Sequence, residues 1–223
     1  MRVPLVVAPG GPLGDGRHLS GLWLDPVQVQ AEEVSDVTEP TRGPLVVVDT
    51  ETNGLDVERH QAVEVAWWNL DTGQRGDFIP AHSVPDVLYV ASVKALQINR
   101  YVDRIAERVP WNHVTEQDVR QLHEVLTGAT LVGSNVQFDA AMLSKLFDKH
   151  TLPDADAAPW HYRHWELGPY AAGVLCLDHI PGLAELAERF GVATPDHSAA
   201  GDVTATGEVF LALREIAAER EAE

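Results

Sequence analysis

The sequence has a single cysteine, Cys176, and therefore cannot form an internal disulfide. It also lacks an uninterrupted apolar run of roughly 18 residues, the length typical of a membrane-spanning helix. The apolar residues after Arg2 resemble the start of a signal peptide, but Pro9, Gly10 and Gly11 leave them too short to act as one. These absences predict a cytoplasmic protein with no membrane partner.

Basic residues are scarce as well, with 16 Lys and Arg against 34 Asp and Glu and a net charge of -18 at pH 7. Sequence-independent binding to duplex nucleic acid needs many Lys and Arg to neutralise phosphates, so this class of function is disfavoured. An enzyme that holds a terminal nucleotide through metal ions can still be acidic, because the cations supply the local positive charge. The composition therefore predicts weak, distributive engagement of any nucleic-acid substrate.

The chain has 223 residues, of which 45% are hydrophobic, and this is enough to bury the core of one domain. Residues 1–43 carry no clear hydrophobic period, and Pro9–Gly16 holds Gly or Pro at six of its eight positions, which predicts a loop. A short helix is predicted within Leu22–Val34. We therefore predict a loop-rich N-terminal extension over residues 1–43 and one folded domain over residues 44–223.

The pattern that organises the chain is a short apolar strand ending in two carboxylates. Leu45–Val48 is typical of a buried strand, and a Thr-Asn-Gly sequence a few residues later supplies the turn that ends it. Asp49 and Glu51 are two residues apart, so both point to the same face of a sheet. Such a pair is costly unless a hard cation or a shared proton neutralises it, and Mg²⁺ is the obvious candidate. Taken alone, the pair is equally compatible with an Asx turn and a solvated loop residue.

Downstream patterns alternate between strand and helix signals. Gln61–Leu70 and Gln74–Ile79 flank the small polar turn Asp71–Gly73, which predicts a β-hairpin. Trp67 and Trp68 then face opposite sides of the sheet, as core or edge cover rather than as base-stacking residues. The remaining predictions are two helical pieces over Val87–Arg108, a helix capped by Thr115, a strand at Ala129–Gly133, a helix over Ala140–Phe147, a last strand at Val174–Leu177, a helix over Gly182–Phe190 and a closing helix over Val203–Ala218.

Three further polar residues stand beside predicted helix starts. Asp139 precedes a helix, where a carboxylate also suits the helix dipole, so a plain N-cap explains it equally well. His197 and Asp202 are five residues apart, about one and a half helical turns, so one can lie at the lip of a site while the other points inward. A lone histidine before a helix is more often a surface residue, and the residues by themselves leave both interpretations open.

Taken in order, the carboxylate pair at Asp49, the segment Asn135–Asp139 and the segment His197–Asp202 resemble the three motifs of the DEDDh exonucleases, the DnaQ-like branch of the RNase H-like superfamily. The resemblance covers Pro44–Ala217. It implies an α/β fold in which helices flank a mixed sheet that begins with an antiparallel meander. The departures from the family pattern are Asn53, Ser134, Ala200 and Val203. None removes a metal ligand, but Ser134 puts in doubt a nucleotide contact usually made by histidine.

The resemblance also implies roles and a reaction. Four carboxylates would hold two divalent ions, Mg²⁺ or Mn²⁺, about 4 Å apart, and His197 would be the general base for the attacking water. The carboxylates are those of Asp49, Glu51, Asp139 and Asp202. The residues expected to contact the terminal nucleotide are Thr52, Asn53, Leu55, Asn135 and Phe138. The implied reaction is hydrolysis of the 3′-terminal phosphodiester of single-stranded or frayed DNA, with release of nucleoside 5′-monophosphates.

Other functions remain open at this stage. An RNase or oligoribonuclease of the same family differs in its handling of the 2′-hydroxyl, and a catalytically silent module that binds nucleic acid or a polymerase would lose a ligand or the histidine. The resemblance also leaves a DNA polymerase as a candidate partner. Pro159–Arg163 is similar to a stretch of phage-encoded members, which implies a host cytoplasm if the protein is viral. His161 and His164 could suggest a zinc pair, but without cysteine partners a structural loop is favoured.

Overall fold

The computed structural model describes residues 42–110, 112–150 and 158–222. The predicted loop at Pro9–Gly16 and the predicted helix within Leu22–Val34 lie outside these ranges, and the extension over residues 1–43 stays a prediction. Among the described residues, no helix is both long and apolar enough to cross a membrane.

A five-stranded mixed sheet forms the centre of the fold, in the order β3-β2-β1-β4-β5. The strands are β1 Leu45–Thr52, β2 Ala62–Asn69, β3 Arg75–Phe78, β4 Thr130–Gly133 and β5 Trp165–Glu166. The first three strands pair antiparallel, whereas β4 and β5 join parallel to β1. The antiparallel meander followed by a mixed sheet confirms the predicted fold class.

Helices cover both faces of this sheet. They are α1 Val84–Val90, α2 Val93–Ile98, α3 Tyr101–Arg104, α4 Asn112–Leu126, α5 Val136–Lys149, α6 Leu167–Leu175, α7 Leu183–Phe190 and α8 Ala199–Ala222, with a 3₁₀ turn at Ala106–Arg108. Gly191 ends α7 in the left-handed conformation (φ 67°), as its position after the helix predicted.

The alternation of β1 divides the main core between the two faces. Val46 and Val48 pack against α4 and α5, whereas Leu45 and Val47 pack against α8. Burying each such side chain contributes about 1.5–3 kcal/mol, so the strand is held firmly between the two helical layers. Asp49 continues the second series, which directs its carboxylate toward the α8 side.

The tryptophan pair follows the same rule. Trp67 is buried in the core beneath α4 and α5, and Trp68 is half-buried on the α8 face. The Arg75 guanidinium lies 3.5 Å from the centre of the Trp68 ring, a cation–π contact that covers the outer edge of the sheet. Trp67 and Trp68 therefore both serve packing, as predicted.

A third, smaller cluster lies under α1–α3. It consists of Val63, Ile79, Val87, Tyr101 and Ile105. The pairing of β1 with β2 shifts register between Glu51 and Thr52, where a β-bulge or irregularity interrupts the ladder. Val63 belongs to this small cluster, whereas the β2 residues after the shift join the two main cores.

Two sequence predictions were wrong. Val174 and Leu175 end α6 and pack against α8 instead of forming a last strand, whereas the fifth strand is the two-residue segment β5, too short for a periodic signal. Thr115 does not cap α4, because the helix begins at Asn112. Its buried hydroxyl instead accepts a hydrogen bond from the Ala81 amide at 2.6 Å, a long-range contact that sequence patterns do not reveal.

The region predicted as two helical pieces is broken into α1, α2, α3 and the 3₁₀ turn because of tertiary contacts. Arg100 adopts the left-handed conformation (φ 53°) between α2 and α3. The buried Asn99 side chain donates to the Thr52 carbonyl at 2.9 Å. This bond ties the break between the two helices to the end of β1.

Candidate metal centre and active site

The end of β1 brings two carboxylates into a crowded acidic environment. Burial raises the pKa of Asp49 well above its usual value, and the charges of Asp139, Glu51 and Asp202 raise it further. Burial likewise raises the pKa of Glu51 to about 8. The charges of Asp202 and of Glu64, which pairs with Glu51 from the neighbouring strand β2, raise it further. The acidic side chains are therefore close enough to repel one another strongly.

Asp139 reaches this cluster from α5. Its Oδ1 accepts hydrogen bonds from the Thr50 amide at 3.0 Å and from the Thr50 hydroxyl at 2.7 Å. Burial raises its pKa to about 7, although the Thr50 bonds oppose that shift. The N-cap of α5 is Asn135, so Asp139 lies inside the helix and joins it to the end of β1 that carries Asp49 and Glu51.

Asp202 and His197 complete the cluster from the start of α8. Ligand atoms of Glu51, His197 and Asp202 all lie within 4.8 Å of one another. Asp202 is buried and accepts from the Asp196 amide at 3.2 Å, whereas His197 is exposed and has a left-handed backbone (φ 57°). One residue thus points inward and the other lies at the lip, as their five-residue spacing allowed.

An ion pair that sequence reasoning missed holds the His197 loop in place. Arg104 Nη1 lies 2.8 Å from each oxygen of Glu64, and Arg104 Nη2 donates to the His197 carbonyl at 2.9 Å. Glu64 in turn accepts from the Ala199 amide at 3.1 Å. The pair therefore binds the backbone of this loop at His197 and again at Ala199. The only sequence signal for it was an acidic residue within the apolar β2 strand.

The Arg104→Met variant is expected to lose about 3–5 kcal/mol of unfolding free energy, because it leaves the buried charge of Glu64 without its partner. The Glu64 side chain is only 7% exposed and that of Arg104 is 21% exposed. Urea unfolding followed by circular dichroism measures the loss. The double variant Glu64→Gln/Arg104→Met should recover most of it, since the unpaired charge is gone.

Arg108→Met is the matched control, because it removes an exposed arginine one turn further on. Its unfolding free energy should stay within about 0.5 kcal/mol of wild type. An Arg104→Met midpoint equal to that of Arg108→Met would contradict a structural role for the ion pair.

The start of α5 is fixed by a second contact that the sequence did not indicate. Glu166 on β5 accepts hydrogen bonds from the Asn135 amide at 2.5 Å and from the Val136 amide at 3.0 Å. A carboxylate at a helix N-terminus satisfies free amides and suits the helix dipole. Glu166 thereby sets the position of the helix that carries Asp139.

The residues predicted to contact a nucleotide fall into two groups. Thr52 and Asn53 are buried, and their side chains bind the backbone of neighbouring loops. Leu55 is 80% exposed beyond the end of β1, Asn135 has a left-handed backbone (φ 70°), and Phe138 is half-buried in α5. The first group supports the rim of the site, and the accessible members stay predicted nucleotide contacts.

The histidines considered as a zinc pair have structural contacts. The His161 amide donates to the Ala129 carbonyl at 2.7 Å, and His164 Nδ1 lies 2.7 Å from the Gln137 amide nitrogen. Within the described ranges, the one group of acidic and histidine side chains close enough to hold a metal is that of Glu51, His197 and Asp202.

The donor set fits a divalent cation. Carboxylate oxygens are hard ligands of the kind that Mg²⁺ and Mn²⁺ prefer, and a cation would offset the burial and the repulsion that raise these pKa values. A mixed five-stranded sheet flanked by helices, with acidic side chains gathered at the end of its central strand, is the RNase H-like fold. The chain belongs to the exonuclease family RNase_T, whose model matches residues 46–210. Exonucleases of this family depend on divalent metals.

Relatives agree with this assignment. The PolC-type DNA polymerase III of Streptococcus thermophilus is 25% identical over 193 residues, which cover 82% of this chain and 12% of the polymerase. A product-bound structure of exonuclease I has a TM-score of 0.59 at 18% identity over 78% of this chain and 44% of that one. Exonuclease I of E. coli in complex with a 5cy-dA13 oligonucleotide has a TM-score of 0.58 at 18% identity, covering 77% and 40%. The chain therefore spans less than half of each of these relatives.

Proposed function

We propose that this chain is a metal-dependent 3′→5′ exonuclease that acts on single-stranded or frayed DNA and releases nucleoside 5′-monophosphates. The observation that carries the proposal is the meeting of acidic residues from β1, α5 and α8 with His197 at one end of the sheet. A silent binding module was expected to lack a ligand or the histidine, and the sequence retains all five of these residues.

In this mechanism, the residues that would hold the divalent ions are Asp49, Glu51, Asp139 and Asp202. When bound, such ions would lower the pKa of the attacking water and stabilise the leaving oxygen. His197, at the exposed lip, accepts the proton of that water through its imidazole. Arg104 and Glu64 keep the His197 loop in position, because they bind the His197 carbonyl and the Ala199 amide, the backbone that directly follows the reactive side chain.

The choice of DNA over RNA is supported by the relatives. One is a DNA polymerase, and exonuclease I structures contain oligonucleotides such as 5cy-dA13. Leu55, 80% exposed at the edge of the site, is suited to packing against the terminal base once that base is unpaired. An oligoribonuclease remains the alternative, and the two are separated by activity on matched strands with and without the 2′-hydroxyl.

The test uses DNA and RNA 12-mers of one sequence, labelled at the 5′ or the 3′ end, with Mg²⁺, Mn²⁺ or EDTA. We expect a ladder of shortening 5′-labelled DNA, early release of labelled mononucleotide from the 3′-labelled strand, and no cleavage in EDTA. Release of the label from the 5′ end first, internal cuts, or no cleavage with either metal would overturn the proposal.

Metal binding should stabilise the protein more at pH 8 than at pH 6. Glu51 and Asp139 have pKa values raised from 4.5 to about 8 and from 3.8 to about 7. At a pH between its usual pKa and its raised pKa, each group holds a proton in the folded state that it has released in the unfolded state. The unfolding free energy of the metal-free protein therefore falls as the pH rises. Mn²⁺ removes that penalty, and the melting temperature measures the difference.

The control for this pH dependence is Glu58→Gln, which removes an exposed acid of the same charge and should keep the wild-type pH profile. Glu51→Gln should flatten the profile of the metal-free protein. A melting temperature that responds equally to Mn²⁺ at pH 6 and pH 8 would argue against metal binding by these raised carboxyl groups.

A further inference from the structure

The helices between β3 and α4 present an exposed apolar surface. Five of the ten exposed large hydrophobic residues of the described chain lie within residues 88–102. They are Leu88, Tyr89, Val93, Ile98 and Val102, and Tyr89 is the most exposed at 89%. We call this segment the 88–102 surface. Surface tyrosines of this exposure on a helix are available for stacking against a ligand.

The charge of the 88–102 surface is opposite to that of the whole protein. The chain carries 34 acidic residues and a net charge of -18, yet residues 87–102 contain no Asp or Glu and include Lys94 and Arg100, with exposed acidic residues only at the borders of the segment, Asp86 and Asp103. Both cations are exposed, and neither forms an ion pair with another described residue. The surface therefore offers unpaired positive charge beside apolar side chains.

The surface is bonded directly to the catalytic end of β1. The Ser92 amide donates to the Asn53 carbonyl at 2.8 Å, and the Asn53 side chain donates to the Val87 carbonyl at 3.2 Å. His60 Nε2 lies 3.1 Å from the Val90 carbonyl. These bonds fix the helices against residues that follow Glu51 by only a few positions, next to the exposed Leu55.

A single nucleic-acid strand matches this chemistry better than a protein does. Its bases stack on aromatic rings, and its phosphates attract unpaired Lys and Arg. Cations at the metal centre would offset its carboxylates only for the terminal nucleotide, so the rest of the strand gains from a separate positive surface. A protein partner would match the apolar residues and Arg100 but would gain less from Lys94, because lysine is depleted at protein interfaces whereas arginine is enriched.

We propose that the 88–102 surface binds the substrate strand upstream of the 3′-terminal nucleotide, with Tyr89 stacked on a base and Lys94 and Arg100 on phosphates. This inference rests on the proposed function, since it takes the end of the strand to lie at the metal centre. It identifies where an acidic enzyme obtains its affinity for a longer strand. It also predicts that short substrates gain nothing from this surface.

The test measures binding without cleavage, by fluorescence anisotropy of 5′-labelled thymidylate 12-mers and 3-mers in EDTA. Tyr89→Ala should weaken 12-mer binding about 5- to 100-fold and leave the 3-mer unaffected, while Tyr89→Phe keeps wild-type affinity. Lys94→Ala/Arg100→Ala should lower the salt dependence of 12-mer binding by about two phosphate contacts.

Tyr162→Ala is the matched control. Tyr162 is 72% exposed, and the adjacent His161 binds Ala129, which precedes β4 and so lies at the end of the sheet where β1 begins, away from Glu51. Equal 12-mer affinity in wild type, Tyr89→Ala and Tyr162→Ala would overturn the inference and leave the surface to a protein partner. Absence of 12-mer binding by the wild-type protein would overturn it as well. Failure of the proposed function has a different readout, which is absence of cleavage by wild type when metal is present.

Discussion

Asp49→Asn is expected to lower exonuclease turnover at least about a thousandfold, which corresponds to about 4 kcal/mol of transition-state stabilisation. Asp49 lies at the centre of the acidic cluster, where the charges of Asp139, Glu51 and Asp202 all act on it. The substitution keeps the size of the side chain but removes the negative charge that holds the cations. The loss should therefore appear in turnover with Mg²⁺ and with Mn²⁺.

The same substitution should not weaken the metal-free fold. Burial and repulsion already disfavour the charge at Asp49, so the asparagine variant is expected to melt in EDTA at or above the wild-type temperature. Asp77→Asn is the matched control, because it removes one exposed carboxylate from β3 and should keep full activity. Substantial activity in Asp49→Asn would exclude this residue from the metal centre.

His197→Gln is expected to lower turnover about 10²- to 10⁴-fold, the usual contribution of a general base. Glutamine keeps a polar side chain at the lip of the site but cannot accept the proton of the attacking water at neutral pH. The Arg104 and Glu64 bonds reach only the backbone of this loop, so the substitution should leave the loop in place. Single-turnover kinetics on a 12-mer separate this loss from slower product release.

Metal binding distinguishes a lost base from a lost ligand. The increase in melting temperature with Mn²⁺ should be nearly the same in His197→Gln as in wild type, since the carboxylates remain. His179→Gln, which alters an exposed histidine paired with Asp178 and Glu185, should retain full turnover. Near wild-type activity in His197→Gln would mean that another group takes the proton.

The sequence was sufficient to predict the strand that carries Asp49, because an apolar run followed by turn residues is a local signal. It also indicated the order of the segments that carry Asp139 and His197, although their meeting depends on tertiary structure. The structure places Glu51, His197 and Asp202 within 4.8 Å of one another across 151 positions of sequence. Local patterns do not encode such separations, and the family motifs supplied that information.

What the sequence did not reveal depends on long-range contacts. The Glu64–Arg104 pair joins residues 40 positions apart, and Glu166 binds the α5 amides 30 and 31 positions away. The β5 strand that carries Glu166 has two residues and therefore no measurable period. The helices α1–α3 were mispredicted in number because the chain breaks between α2 and α3, where the Asn99 side chain bonds to the Thr52 carbonyl of β1.

The small third cluster beneath α1–α3 has a dynamic consequence. Its buried side chains, including Val63, Val87 and Tyr101, are separate from the two cores that clamp β1. Regions with few buried contacts open locally at a lower free energy than the centre of a fold. The proposed contact with the strand can therefore open locally while the β1 carboxylates stay fixed, which would let the enzyme release the shortened strand between successive cuts.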